Sequence, residues 1–296
     1  MPTTGEASCL RRGVALMVSG AASNQVGAGI GAHAFPALGV PGVVAVRQLV
    51  AAAVLLPMAR PPVRRMTWAQ WWPVLLLALV FAVMNLSLYT AIDRIGLGLS
   101  VTLEFLGPLA VALAGSRSRR ELLMAAAAAV GVYVLVLPGP SSDFAGIGCG
   151  LLAAACWAAY IVLNRVAGRR LPGIQAPAVA TGLSAMAYLP VVALLAGQGR
   201  LSGAPLLYAV AAGVLATVVP YAIDLIALRA VPTRLFGVVS SVHPVMAGLA
   251  GIVLLGQVLE PHEWIGIGVV VATNAVAVVA EPAPAAPAAD HDRVRS

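Results

Sequence analysis

VPGVVAVRQLVAAAVLLPMARPPVRR, residues 40–65, runs from Val40 to Ala59 with one charge, Arg47, and then closes on Arg60, Arg64 and Arg65. At about 1.5 Å rise per residue, twenty such residues form a helix as long as the hydrocarbon core of a bilayer is thick. An arginine-rich end of this kind stays on the cytoplasmic side. The pattern recurs along the chain. Apolar blocks fall near 13–34, 40–59, 71–92, 97–115, 122–138, 145–166, 175–196, 205–228, 235–255 and 264–280. With both ends inside, the inner segments hold fifteen arginines, from Arg11 and Arg12 to Arg293 and Arg295, against Arg94 and Arg200 in the outer loops. The chain has no lysine to blur that split.

Composition points the same way: 60% of residues are hydrophobic, 10% are charged, and the mean hydropathy is +0.95. The net charge of +7 is spread over short loops with no basic helix, so topology accounts for it and nucleic acid does not. Cys9, Cys149 and Cys156 have neither disulfide nor zinc spacing. Arg11 and Arg12 ahead of the first block, with Ala32-His33-Ala34 near its end, resemble a signal peptide. The block is about twice the usual length and is interrupted by Asn24 and Gln25, so it is read as an uncleaved span.

The chain also aligns with itself. An offset of 136 sets Leu88–Gly115 on Asp224–Gly251 with Pro108 on Pro244, and an offset of 133 sets Gly13–Pro57 on Gly146–Pro190. Five spans in each half force the second half to enter the bilayer from the opposite face. The expected fold is therefore an all-α integral membrane protein of ten transmembrane helices, as two inverted five-helix repeats. The boundaries are a cytoplasmic tail at 1–12, repeats at 13–139 and 145–280, and a disordered cytoplasmic tail at 281–296. Gly27 with Gly31, and Gly146 with Gly150, give small-residue faces for close helix packing.

Ionisable residues inside spans cost about 2.5–3.5 kcal/mol each on insertion scales, so each needs a partner or a hydrated cavity. Arg47 and Glu104 lie at matching depth on the second and fourth spans, which makes an ion pair geometrically natural, structural in one reading and substrate-facing in the other. Pro108 frees the backbone carbonyl of Glu104, Pro244 that of Ser240, and Pro220 that of Ala216. Pro108 and Pro244 are hinge candidates. His243 is either a proton carrier or a neutral interhelical partner. Asp224, near the inner end of its span, reads as interfacial. Asn24, Gln25, Asn85, Trp157, Tyr160 and Asn164 are candidates to line a polar cavity.

No phosphate-binding loop, His-Glu-x-x-His or Gly-x-Ser-x-Gly sequence occurs. These absences point away from an enzyme and from ATP drive by this chain. No cofactor and no metal is expected, and Asp290-His291-Asp292 reads as solvated charge.

The runs Pro41-Gly42-Val43-Val44-Ala45-Val46-Arg47, Leu103-Glu104-Phe105-Leu106-Gly107-Pro108-Leu109-Ala110-Val111-Ala112-Leu113 and Val231-Pro232-Thr233-Arg234-Leu235-Phe236-Gly237 resemble the EamA family of the drug/metabolite transporter superfamily. Ala155-Cys156-Trp157-Ala158-Ala159-Tyr160 is similar too. The likeness runs from about Gly13 to Glu281 and is nearest to the bacterial threonine/homoserine exporters. It implies a ten-span inner-membrane carrier exporting amino acids or related metabolites. Three positions depart from that branch: His243 and Gln257 stand where Glu is common, and Asp224 replaces a usual Glu.

Together these readings predict a gradient-driven exporter of small polar metabolites, amino acids first, working by alternating access. The alternative is a drug, cation or other metabolite carrier, in either direction, and behind it a non-transporting membrane protein or a membrane enzyme. Arg47 would receive a carboxylate and Glu104 an ammonium or a proton. The expected partners are a small-molecule substrate, the lipid bilayer and protons as coupling ion; the sequence is silent on oligomeric state.

Overall fold

In the computed structural model of the chain, residues 4–114, 119–137, 139, 142–223 and 233–280 are described. Every extended element among them is helical, with no strand. The helices are α1 (Thr4–Ala32), α2 (Phe35–Ala59), α3 (Trp68–Ile95), α4 (Leu97–Glu104), α5 (Leu106–Leu113), α6 (Arg119–Val136) and α7 (Phe144–Gly168). There follow α8 (Gln175–Ala187), α9 (Leu189–Gly197), α10 (Gly203–Gly213), α11 (Thr233–Ser240), α12 (His243–Leu255) and α13 (Pro261–Ala280).

Six stretches are long and apolar enough to cross a membrane: α2, α3, α7, Gly203–Ile223, Val238–Leu255 and Pro261–Val279. The pair α8 and α9, bent by 41°, makes a seventh. Leu97–Leu113 and Leu122–Val136 are apolar but shorter, and α1 is 29 residues long with Asn24 and Gln25 near its centre. Large apolar side chains face outward around the bundle, among them Leu79, Leu123 and Val253, as lipid contact requires and water does not. The chain is a multi-pass membrane protein.

Prolines punctuate this bundle. A helical proline offers no N–H to the carbonyl four residues earlier and its ring clashes there. The helix breaks at Phe105 ahead of Pro108, at Ser241–Val242 ahead of Pro244, and at Tyr188 ahead of Pro190. Gly39, at φ 70°, kinks α2 ahead of Pro41. Ahead of Pro220 the helix widens into a π turn over Val214–Val218. In lipid the freed carbonyls need other donors. Two of them find arginines: Ala37 accepts from Arg200 and Ala216 from Arg47.

Small residues set the close approaches. A Cβ on Gly27 would lie 2.6 Å from the Ala216 nitrogen, and one on Gly150 would lie 2.8 Å from the Leu103 side chain. Towards one end of the bundle packs a large apolar cluster that includes Phe35, Leu38, Ile92, Leu97, Val101 and Ala250. Near that end, Arg94 at the close of α3 pairs with Asp143, the N-cap of α7, at 3.0 Å. Asp224 and the 281–296 tail lie outside the described residues.

Candidate functional site

A cavity of about 430 Å³ lies within the bundle, walled by α1, α2, α3, α4 and α7, with Ser240 and His243 from either side of the α11–α12 break. All six binding candidates from the sequence line it: Asn24, Arg47, Asn85, Glu104, Tyr160 and His243. Gln25 and Trp157 also line it, whereas Asn164 does not. Asn164 sits further along α7, beyond the stretch that faces the cavity.

Arg47 is held by a cage. Its Nε donates to Thr217 Oγ1 at 3.1 Å, its Nη2 to the Ala216 carbonyl at 3.2 Å, and its Nη1 to Asn85 Oδ1. The guanidinium also lies over the Tyr89 ring, 5.0 Å from its centroid. Asn85 is itself fixed by donating to the Phe81 carbonyl at 2.8 Å. The π turn supplies the rest. Val219 N–H reaches back to Val214, so the Leu215 carbonyl is left for Ser23 Oγ at 2.8 Å, while Pro220 leaves the Ala216 carbonyl for Arg47. The carbonyl that the sequence marks as freed is thus the one that anchors the cation.

Glu104 closes α4 and is 7% exposed. The expected ion pair with Arg47 is absent: among the described residues the one salt bridge is Arg94 with Asp143. Matching depth placed both groups at one level but carried no information on which way each helix turns its side chain. Arg47 turns to α3 and the π turn instead, and three of its five N–H groups are taken there. The Glu104 carboxylate has no hydrogen bond and no ion pair among the described residues, and its side chain borders the cavity.

Opposite Arg47 the wall is aromatic. Phe105 stacks on His243 at 5.5 Å between ring centroids and meets Trp157 edge-on at 4.7 Å. Gln25 Nε2 lies 3.2 Å from His243 Nδ1, so the two side chains pair between α1 and α12. Tyr160 packs on Phe81 at 5.4 Å.

Tyr89 and Thr217 were missed from the sequence. Tyr89 stands four residues after Asn85 on the same helix face, a spacing that would have found it. Thr217 gave no such signal, because a contact across 170 positions depends on helix packing. Gln257 is outside the cavity; its Oε1 accepts from Leu97 N–H at 3.1 Å and so caps α4. Among the described residues no group of three His, Cys, Asp or Glu side chains gathers as metal ligands would.

An all-helical membrane bundle with a polar, charged cavity among its helices is the architecture of a carrier. Residues 144–279 match the EamA-like transporter family. The chain is 32% identical to the threonine/homoserine exporter RhtA of Escherichia coli strain K12, over 88% of this chain and 89% of that one. It belongs to the EamA-like transporter family. The Salmonella typhimurium strain LT2 RhtA is likewise 32% identical, over 85% of this chain and 86% of its own. The uncharacterized transporter YwfM of Bacillus subtilis is 26% identical over 68% of this chain and 70% of its own. One crystal structure shares the fold with a TM-score of 0.56, at 19% identity, covering 90% of this chain and 96% of that one.

Proposed function

We propose that this protein exports small zwitterionic metabolites, amino acids of the threonine and homoserine kind first, across the inner membrane. The observation that carries this reading is a cavity that presents both a caged cation, Arg47, and a carboxylate, Glu104, with no partner among the described residues. An α-amino acid carries the complementary pair of charges. The full-length similarity to threonine/homoserine exporters supports the same choice. Arg47 receives the carboxylate, Glu104 receives the ammonium or a coupling proton, and Asn24, Asn85, Tyr160 and His243 complete the polar wall.

Transport works by rocking of two inverted five-span halves, 13–139 and 145–280, within a ten-span bundle. Helix neighbours support this division. Exchanging the halves maps α1 against α10 onto α7 against α3, and α1 against α11–α12 onto α7 against α4–α5. The pairs α2 with α8, α6 with α13 and, taken as whole broken spans, α4–α5 with α11–α12 map onto themselves. The breaks at Phe105 and Ser241 are 136 positions apart, the offset of the repeat, which favours Pro108 and Pro244 as paired hinges. With both termini cytoplasmic, the large apolar cluster falls on the outer side, so this state is closed outward. Proton coupling through Glu104 completes the cycle.

Expression in a sensitive host, challenged with toxic levels of threonine, homoserine and unrelated drugs, tests this reading. Protection against the amino acids supports it. Protection confined to drugs or cations favours the alternative of a general efflux carrier.

A further inference from the structure

We infer that Tyr89 is a specificity-determining residue, whose hydroxyl and the two unused N–H groups of Arg47 form the subsite for the substrate's carboxylate. The inference rests on the amino-acid reading above and adds to it a residue that reading does not use.

Tyr89 is 1% exposed and its side chain borders the cavity. Its hydroxyl is buried with no hydrogen-bond partner among the described residues. Its ring packs edge-on against Phe35 at 6.0 Å and lies under the Arg47 guanidinium at 5.0 Å. A phenylalanine would make both contacts equally well, without leaving a buried polar atom unsatisfied. The hydroxyl is therefore unexplained by packing. It sits on the ring that faces the one cation in the cavity, and three of that cation's five N–H groups are already bound to protein. A carboxylate offers two oxygens and about four lone pairs, enough for the remaining arginine donors and a tyrosine hydroxyl together. In the state described here the hydroxyl is buried, so the contact forms only once the wall opens to admit substrate.

Two properties follow that a structural tyrosine would not show together. Losing the hydroxyl leaves stability unharmed, and it weakens only substrates that carry a carboxylate. The test compares wild type with Tyr89→Phe in proteoliposomes, with radiolabelled L-threonine and L-threoninamide, which lacks the carboxylate but keeps the amino group, as probes, beside Tm in detergent. The expected result is a KM for threonine raised about tenfold, the size of one lost hydrogen bond to a charged group. KM for threoninamide stays unchanged and Tm stays at or above wild type. An unchanged threonine KM overturns the inference, as does an equal loss for both probes. A lowered Tm also overturns it, since the hydroxyl would then have a structural partner. Absence of threonine transport by the wild type would remove the amino-acid reading itself, a result distinct from the other three.

Discussion

Arg47 and Glu104 face one cavity without bonding to each other: the guanidinium is tied to Thr217, Ala216 and Asn85, and the carboxylate has no hydrogen bond or ion pair among the described residues. The two charges therefore differ in what they do for the fold. Arg47 is built into it, with hydrogen bonds that cross from α2 to α3 and to the π turn. Glu104 is carried at a cost, which is the usual mark of a group kept for a ligand.

Arg47→Gln is expected to damage the protein itself. It removes charged donors from Asn85 and from a carbonyl that Pro220 has already deprived of its helical partner. Unsatisfied buried acceptors cost roughly 1–3 kcal/mol each, so a lower Tm and reduced detergent-solubilised yield should accompany lost transport. Normal thermal stability would show that the cage is not structural.

Gln257 tests the start of α4. Gln257→Leu removes the acceptor of Leu97 N–H and should cost about 1 kcal/mol, read as a lower Tm. Gln257→Glu keeps an acceptor and places negative charge at a helix N-terminus, so stability should be retained or gained. Equal losses in both variants would contradict the capping role.

Asp143 links α3 to α7 through Arg94. Its carboxyl is held below its ordinary value of 3.8, first by the Gly146 N–H and then by Arg94. A lowered folded pKa gives stability that is complete above the ordinary value and is lost as pH falls from there through the folded value. The Tm gap between wild type and Asp143→Asn should be present near neutral pH and close on acidification below 3.8. A gap independent of pH would assign the difference to shape rather than charge.

The proposed ten-span arrangement puts fifteen arginines on the side of both termini, so both termini should be cytoplasmic. Reporter fusions at each end check this. A periplasmic signal from either end would overturn the ten-span arrangement or its orientation.

Much of the site was legible because charge in a membrane is expensive. Arg47, Glu104 and His243 stood out as polar residues within apolar blocks, and each one borders the cavity. Proline spacing located the breaks between α4 and α5 and between α11 and α12, and the freed Ala216 carbonyl. The partners of those groups were not legible. Rotation of a helix about its axis decides whether Arg47 meets Glu104 or Thr217, and an apolar block of alanine, valine and leucine does not encode that angle strongly. Tyr89 escaped notice for a related reason: an aromatic residue in a span looks like packing until its hydroxyl is found without a partner.

The most direct test of the account is amino-acid efflux by Glu104→Gln, measured in proteoliposomes beside Tm. Glutamine keeps the shape of glutamate and removes its charge. Because the carboxylate has no bond to lose, the fold should keep a Tm close to wild type. Loss of a charged contact to substrate or proton should lower efflux at least tenfold, on the order of 1.4 kcal/mol. A folded variant with wild-type efflux would contradict the central claim that Glu104 serves transport.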